Sequence, residues 1–224
     1  MTPPRLLAIN DPDLGPGPEL DAWVLGLAQG GIDGLQIRLK DRRAVPDRVL
    51  LATVERARAL FPPPGILLVN GRADVAVAAG ADGVHLPASG LPVRDVRRLT
   101  ESLGHRDPGR NLLIGRSTHR PEEVARARDD GADYVTFGPV YPTPSKARYG
   151  EPPGLGGLRE ACAQGLPVLA LGGVDAGRLE EVAAAGAAGA AGIRVFAGPT
   201  SRSELVDAAR RAFGPVGEGS PAPW

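Results

Sequence analysis

Short apolar runs alternate with amphipathic stretches along almost the whole chain, and this alternation is what most constrains its fold. Strands are expected at Arg5–Ile9, Gly34–Leu39, Gly65–Asn70, Gly83–Leu86, Leu112–Arg116, Tyr134–Gly138, Val168–Leu171 and Ala191–Val195. Helices are expected between and after them, near Glu19–Gly30, Asp47–Phe61, Ala73–Ala79, Val93–Leu103, Pro121–Asp130, Gly156–Ala163, Ala176–Ala185 and Ser203–Phe213. Gly65-Ile66-Leu67-Leu68-Val69 and Pro167-Val168-Leu169-Ala170-Leu171 are apolar at every strand position, as parallel strands covered on both faces require. Pro121 followed by Glu122 and Glu123 marks a helix start, with a proline that needs no partner for its nitrogen and carboxylates on the positive end of the dipole. Gly80-Ala81-Asp82, Gly131-Ala132-Asp133 and Gly186-Ala187-Ala188 return a helix to a strand, with glycine at the left-handed position just past the helix end. Eight such units in 224 residues, with no shift of composition between the halves, specify a single (β/α)8 TIM barrel over residues 1–213 rather than an open doubly wound sheet. The Gly/Pro-rich stretch 214–224 is expected to be a flexible C-terminal tail.

In such a barrel the chemistry lies at the C-terminal ends of the strands. Those ends read, in order, Asn10, then Gln36, Arg38 and Lys40, then Asn70 and Arg72, His85, Ser117, Thr118 and His119, Thr143, Ser145 and Lys146, Gly172 and Gly173, and Arg194 to Gly198. A period of two throws Gln36, Arg38 and Lys40 to one side of their strand. Cations held there need water or an anionic ligand, because a buried unpaired charge is costly. Lys146 closes a second cationic loop, Phe137–Lys146, directly after a strand. Leu171-Gly172-Gly173-Val174 fits a backbone phosphate cradle ahead of a helix, although a plain tight turn would use the same glycines. His119 is the best-placed group for proton transfer near neutral pH. His85 reads equally as a hydrogen-bonded packing residue, and His105, in a charged loop, as a solvated one. Carboxylates are scarce at these ends: Asp11 and Asp41 near the rim, and Asp74 a turn into a helix, do not form the pair a Mg2+ site wants.

The total charge excludes other partners. Lys+Arg and Asp+Glu both number 26, so no global field draws the chain to nucleic acid or an acidic membrane surface. No apolar run is long enough to span a bilayer. Cys162 is the one cysteine, which rules out an intrachain disulfide and reads as a small packing residue. The start, Met1-Thr2-Pro3-Pro4-Arg5, has no apolar signal region, so a cytoplasmic location is expected. The expected partner is a small phosphate-bearing molecule, with a homo-oligomer left open.

Several phrases together resemble the thiamine phosphate synthase/TenI family over nearly the whole chain: Leu35–Lys40, Val69-Asn70-Gly71-Arg72, Ala81–Leu86, Gly115–His119, Gly131–Lys146 and Leu171–Val174. The resemblance implies a (β/α)8 barrel that binds a thiazole phosphate. It places Gln36, Arg38, Lys40, Asn70 and Lys146 where synthases hold pyrophosphate, with hydroxyls from Ser117, Thr143 and Ser145. Arg72 belongs to the same matched phrase. Gly172, Gly173, Phe196 and Ala197 would hold the thiazole phosphate.

The departures point the other way. Similar synthases carry aspartates, their Mg2+ ligands, at two positions that are Gly71 and Gly90 here, and an acidic residue where Leu39 stands. Loss of two carboxylates should weaken a metal badly. Asn-Gly-Arg, and Leu-Pro followed by small polar residues, look instead like the TenI branch, whose thiazole tautomerases aromatise a thiazole carboxylate phosphate by proton transfer. The favoured expectation is therefore a metal-independent thiazole tautomerase with His119 as catalytic acid/base and no cofactor. The alternative is a thiamine phosphate synthase, the one case in which Mg2+ would enter. It would join hydroxymethylpyrimidine pyrophosphate to thiazole phosphate and release pyrophosphate. Retention of Arg38, Lys40 and Lys146 favours that alternative, since a tautomerase has no pyrophosphate to hold. A non-catalytic phosphate-ligand-binding regulator on the same barrel is the third expectation.

Overall fold

The structure is a computed structural model that describes residues 1–11, 13–39, 45–103, 111–143, 151–196 and 199–214. Eight strands carry the barrel: β1 Leu6–Ile9, β2 Gly34–Ile37, β3 Ile66–Asn70, β4 Gly83–Leu86, β5 Leu113–Thr118, β6 Tyr134–Phe137, β7 Val168–Leu171 and β8 Gly189–Gly192. Each is followed by a helix: α1 Pro18–Gln29, α2 Asp47–Leu60, α3 Ala73–Ala79, α4 Val93–Leu103, α5 Pro121–Asp129, α6 Gly154–Cys162, α7 Leu179–Ala184 and α8 Pro199–Phe213. All pairings are parallel, and β8 returns to β1 to close the sheet in strand order. The expected TIM barrel is the observed one. The stretch 215–224, expected to be a tail, lies outside the described residues.

The local differences have local causes. The eighth strand ends at Gly192, because Arg194–Phe196 turns as a 3-10 segment that seats Phe196 in the core. Ala176–Arg178 likewise forms a 3-10 turn before α7. The second strand stops at Ile37, where Asn10 takes over the backbone of Arg38.

Two apolar layers follow from the period of two. Leu7, Ile9, Leu68, Leu113, Tyr134, Leu169 and Ala191 fill the barrel interior, while the alternate residues pack against the helices. Interior glycines make the filling possible. A Cβ at Gly115 would lie 2.1 Å from Cζ of Tyr134, and one at Gly83 would lie 2.2 Å from the Leu113 carbonyl oxygen.

The phrases before the even strands do more than turn the chain. Gly31, Gly80, Gly131 and Gly186 all have positive φ just past a helix, at 75°, 68°, 86° and 95°. The aspartate two residues later then clamps the start of the preceding odd strand. Asp33 accepts the backbone N–H of Arg5 and of Leu6, Asp82 that of Leu67, and Asp133 that of Ile114. Arg58 and Arg97 pair with Asp82 and Asp133 at 2.6 and 2.8 Å. Burial raises the Asp33 carboxyl above the usual range against the pull of those N–H groups. The fourth phrase has Ala188 at this place and no carboxylate. These clamps sit at the N-terminal end of the barrel, so they serve stability rather than chemistry. Among the described residues no helix is long and apolar enough to cross a membrane.

Candidate active site at the barrel mouth

The side chains that end the interior layer face the mouth. Asn10, fully buried at the end of β1, grips the next chain segment with both ends of its amide: Oδ1 accepts the Arg38 N–H at 2.5 Å, and Nδ2 donates to the Arg38 carbonyl at 2.9 Å. This fixes the point from which the Arg38 side chain leaves. One layer below, Gln36 is 2% exposed and donates its amide to Asn70 Oδ1 at 3.1 Å. Its Oε1 is buried with no partner among the described residues. A buried acceptor without a donor is costly, so the position asks for a ligand N–H or O–H.

Across the barrel, His85 is the centre of a second polar group. Nδ1 meets the Tyr134 hydroxyl at 2.9 Å, and Nε2 meets Ser117 Oγ at 2.9 Å and Thr136 Oγ1 at 3.3 Å. Burial lowers its pKa to about 3, aided by the charges of Arg116 and Arg38, so the ring is neutral in ordinary buffers. Burial also drives the Tyr134 phenol far above its ordinary value. Arg116 points outward and gathers the carbonyls of Ala88, Gly90 and Leu91, which ties down the turn after β4.

His119 lies at the rim and is exposed. Its Nδ1 donates to the Gly138 carbonyl, since a carbonyl can only accept, and its backbone N–H is held by Glu123, which reaches back from the first turn of α5 at 2.7 Å. Gly172 and Gly173 have φ of 94° and 69° and press against the β6 loop. A Cβ at Gly172 would come 2.7 Å from Pro139 Cα, and one at Gly173 would come 2.7 Å from Tyr141 Cβ. Only glycine allows that approach. Tyr141 N–H bonds the Gly172 carbonyl at 3.0 Å, and Arg178 takes the Gly173 carbonyl while stacking over the Tyr141 ring at 4.4 Å.

Some expected residues are placed differently. Phe196 is 1% exposed and belongs to the core, and its carbonyl is held by Trp23 and Arg202, so its side chain cannot hold a phosphate. Arg72 is paired with the exposed carboxylates of Asp74 at 2.7 Å and Asp47 at 2.5 Å. Thr143 Oγ1 is buried without a partner among the described residues. Lys40, Ser145, Lys146 and Ala197 lie outside the described residues. Tyr134 and Thr136 were missed. Their signal was parity: they lie four and two residues before Gly138 on one face of an apolar strand, and the same face of the neighbouring strand offers Gly115 and Ser117.

Mg2+ wants carboxylates. Gly71 occupies a left-handed turn at φ 65° whose N–H bonds the His85 carbonyl, and Gly90 backs onto Pro87. Neither offers a carboxylate, and the described residues contain no cluster of three or more metal-ligating side chains. Among the described residues, positions 71 and 90 therefore offer a Mg2+ ion no side-chain ligand.

A closed parallel barrel with polar side chains at its mouth and a glycine pair after β7 is a (β/α)8 barrel. The sequence profile described as thiamine monophosphate synthase matches residues 6–196, and the chain belongs to that family. Thiamine-phosphate synthase of Anaeromyxobacter dehalogenans is 40% identical over 185 residues, 82% of this chain and 78% of that protein. Its counterpart in Methanoculleus marisnigri is 40% identical over 195 residues, 86% and 87% of the two chains. Among solved structures, thiamine phosphate pyrophosphorylase from Pyrococcus furiosus superposes with a TM-score of 0.79 at 29% identity, covering 94% of this chain and 97% of that one.

These relatives overturn the favoured expectation. Proteins this similar over 78–87% of their length bear the synthase name, so neither the thiazole tautomerase nor the placement in the TenI branch stands. The catalytic acid/base assignment of His119 rested on that reaction and loses its ground with it.

Proposed function

We propose that the chain is a thiamine phosphate synthase, which joins hydroxymethylpyrimidine pyrophosphate to thiazole phosphate and releases pyrophosphate. The observation that carries this reading is the likeness to proteins of that name across more than four fifths of the chain. The mouth chemistry supports it. In the reaction the pyrimidine methylene–oxygen bond breaks and pyrophosphate leaves with the electron pair. The thiazole nitrogen then gives its lone pair to the methylene carbon. The protein's part is to hold the two partners in line and to stabilise charge on the leaving group.

Arg38, set by the Asn10 clamp, is the described cation for the leaving pyrophosphate, and Lys40 and Lys146 join it in this reading. Ser117 donates a hydroxyl to the same anion, and Thr143 and Ser145 are assigned alongside. The orphan Oε1 of Gln36 cannot take a proton from ionised pyrophosphate, so Gln36 with Asn70 is assigned to the organic part of a substrate. Gly172 and Gly173 bring main chain against the thiazole phosphate. A cytoplasmic setting belongs to the same reading.

Purified protein incubated with both substrates should form thiamine phosphate and pyrophosphate in equal amounts, read by chromatography and a coupled pyrophosphate assay. Substrates recovered unchanged, with and without Mg2+, would sink the proposal.

A further inference from the structure

The Tyr134 hydroxyl is fully buried, and within the described residues its hydrogen-bond partner is His85 Nδ1, at 2.9 Å. A phenol proton buried without an acceptor is costly, and Nδ1 can accept only if it carries no hydrogen. The neutral ring must then carry its hydrogen on Nε2. That N–H faces Ser117 Oγ at 2.9 Å and Thr136 Oγ1 at 3.3 Å, so it occupies a lone pair of the serine. We infer that Tyr134 and His85 form a buried polarity relay that makes Ser117 a hydrogen-bond donor toward the mouth, and that both are positioning residues for the anion bound there.

The relay deepens the synthase reading by specifying what Ser117 does in it, and it rests on that reading for the identity of the anion. Three features frame the relay. Gly115 leaves the space the Tyr134 ring occupies, since any Cβ would enter the ring. The rings of His85 and Tyr134 pack against each other with centroids 5.6 Å apart and tilted by 37°. The charges that act on His85 are the cations Arg116 and Arg38, which disfavour a doubly protonated ring. A serine whose oxygen already accepts from His85 is poorly suited to be a base. Its free hydrogen matches an oxygen of a phosphate or pyrophosphate.

The wild-type protein tests the first half without any mutation at the relay. In 15N-histidine-labelled protein, with His105→Gln and His119→Gln used for assignment, His85 should show hydrogen on Nε2 and none on Nδ1 from about pH 6 to 8. Hydrogen on Nδ1, or titration in that range, overturns the relay. The second half is read by calorimetry with inorganic pyrophosphate. Ser117→Ala should weaken binding roughly ten- to a hundredfold, and Tyr134→Phe, which keeps the ring and removes only the hydroxyl, about three- to tenfold. In a Ser117→Ala background, Tyr134→Phe should have no further effect, because the two act through one hydrogen bond. Independent, multiplying effects overturn the relay, as does wild-type protein that fails to bind pyrophosphate. Neither measurement needs turnover. Protein with the expected tautomer and coupling but no thiamine phosphate product would leave the relay standing and sink the synthase reading. The converse result would do the opposite.

Discussion

Replacing Asp82 by alanine should cost this barrel about 3–4 kcal/mol, far more than a surface ion pair would predict. The side chain is 3% exposed, and its Oδ2 accepts both the Leu67 N–H at 2.7 Å and Arg58 Nη1 at 2.6 Å. Removing the carboxylate leaves the buried Leu67 N–H at the start of β3 with no acceptor, worth roughly 1–3 kcal/mol by itself. Breaking a buried pair by deleting one partner costs about 3–5 kcal/mol. The sum is held down because Arg58 keeps the carbonyls of Phe61 and Gly65 and is 18% exposed, so its charge is not stranded. Asp21→Ala is the internal control. Its partner Arg56 is 45% exposed at 3.2 Å, and such a pair contributes about 0–1 kcal/mol. Urea unfolding at neutral pH, followed by circular dichroism with a common slope, gives both differences. An Asp82→Ala loss below about 1 kcal/mol, or no larger than that of Asp21→Ala, would refute the clamp argument.

Three further outcomes are expected. Because the folded His85 pKa is depressed to about 3, its contribution to stability is complete above its unfolded value of 6.5 and is lost as pH falls between these two values. Wild-type stability should therefore drop by up to about 1.4 kcal/mol per pH unit from this group in that window, and His85→Gln should show a shallower acid limb in pH-dependent urea titrations. Gly115→Ala puts a methyl 2.1 Å from Tyr134 Cζ, so it should destabilise by about 1–3 kcal/mol or more and lower activity with it; a normal melting temperature would contradict the packing described. Arg38→Gln should reduce kcat of thiamine phosphate formation by roughly a hundredfold, with the melting temperature within a few degrees of wild type; unchanged kcat would remove Arg38 from the leaving-group site.

The tautomerase expectation failed for a physical reason. Glycine at 71 and 90 is a real loss of carboxylates, but it informs only about metal binding. The finding that overturns the expectation is the likeness to proteins named thiamine-phosphate synthase over most of the chain. Position in a matched phrase does not say that the Arg72 guanidinium meets Asp47 and Asp74, and the loop assigned near Phe196 does not say that the ring itself turns into the core.

The sequence by itself determined the alternation of strands and helices, the closure it implies, the glycines past the helix ends and the donor-rich strand ends. These follow from period, backbone conformational preference and charge, all of which act over a few residues. Tertiary structure alone decided that Asp33, Asp82 and Asp133 reach back to clamp earlier strands, and that His85, Tyr134, Ser117 and Thr136 meet inside the barrel. Those contacts join residues 15 to 51 positions apart. Their partners, and so their protonation and polarity, depend on the register of closure, which no local pattern encodes.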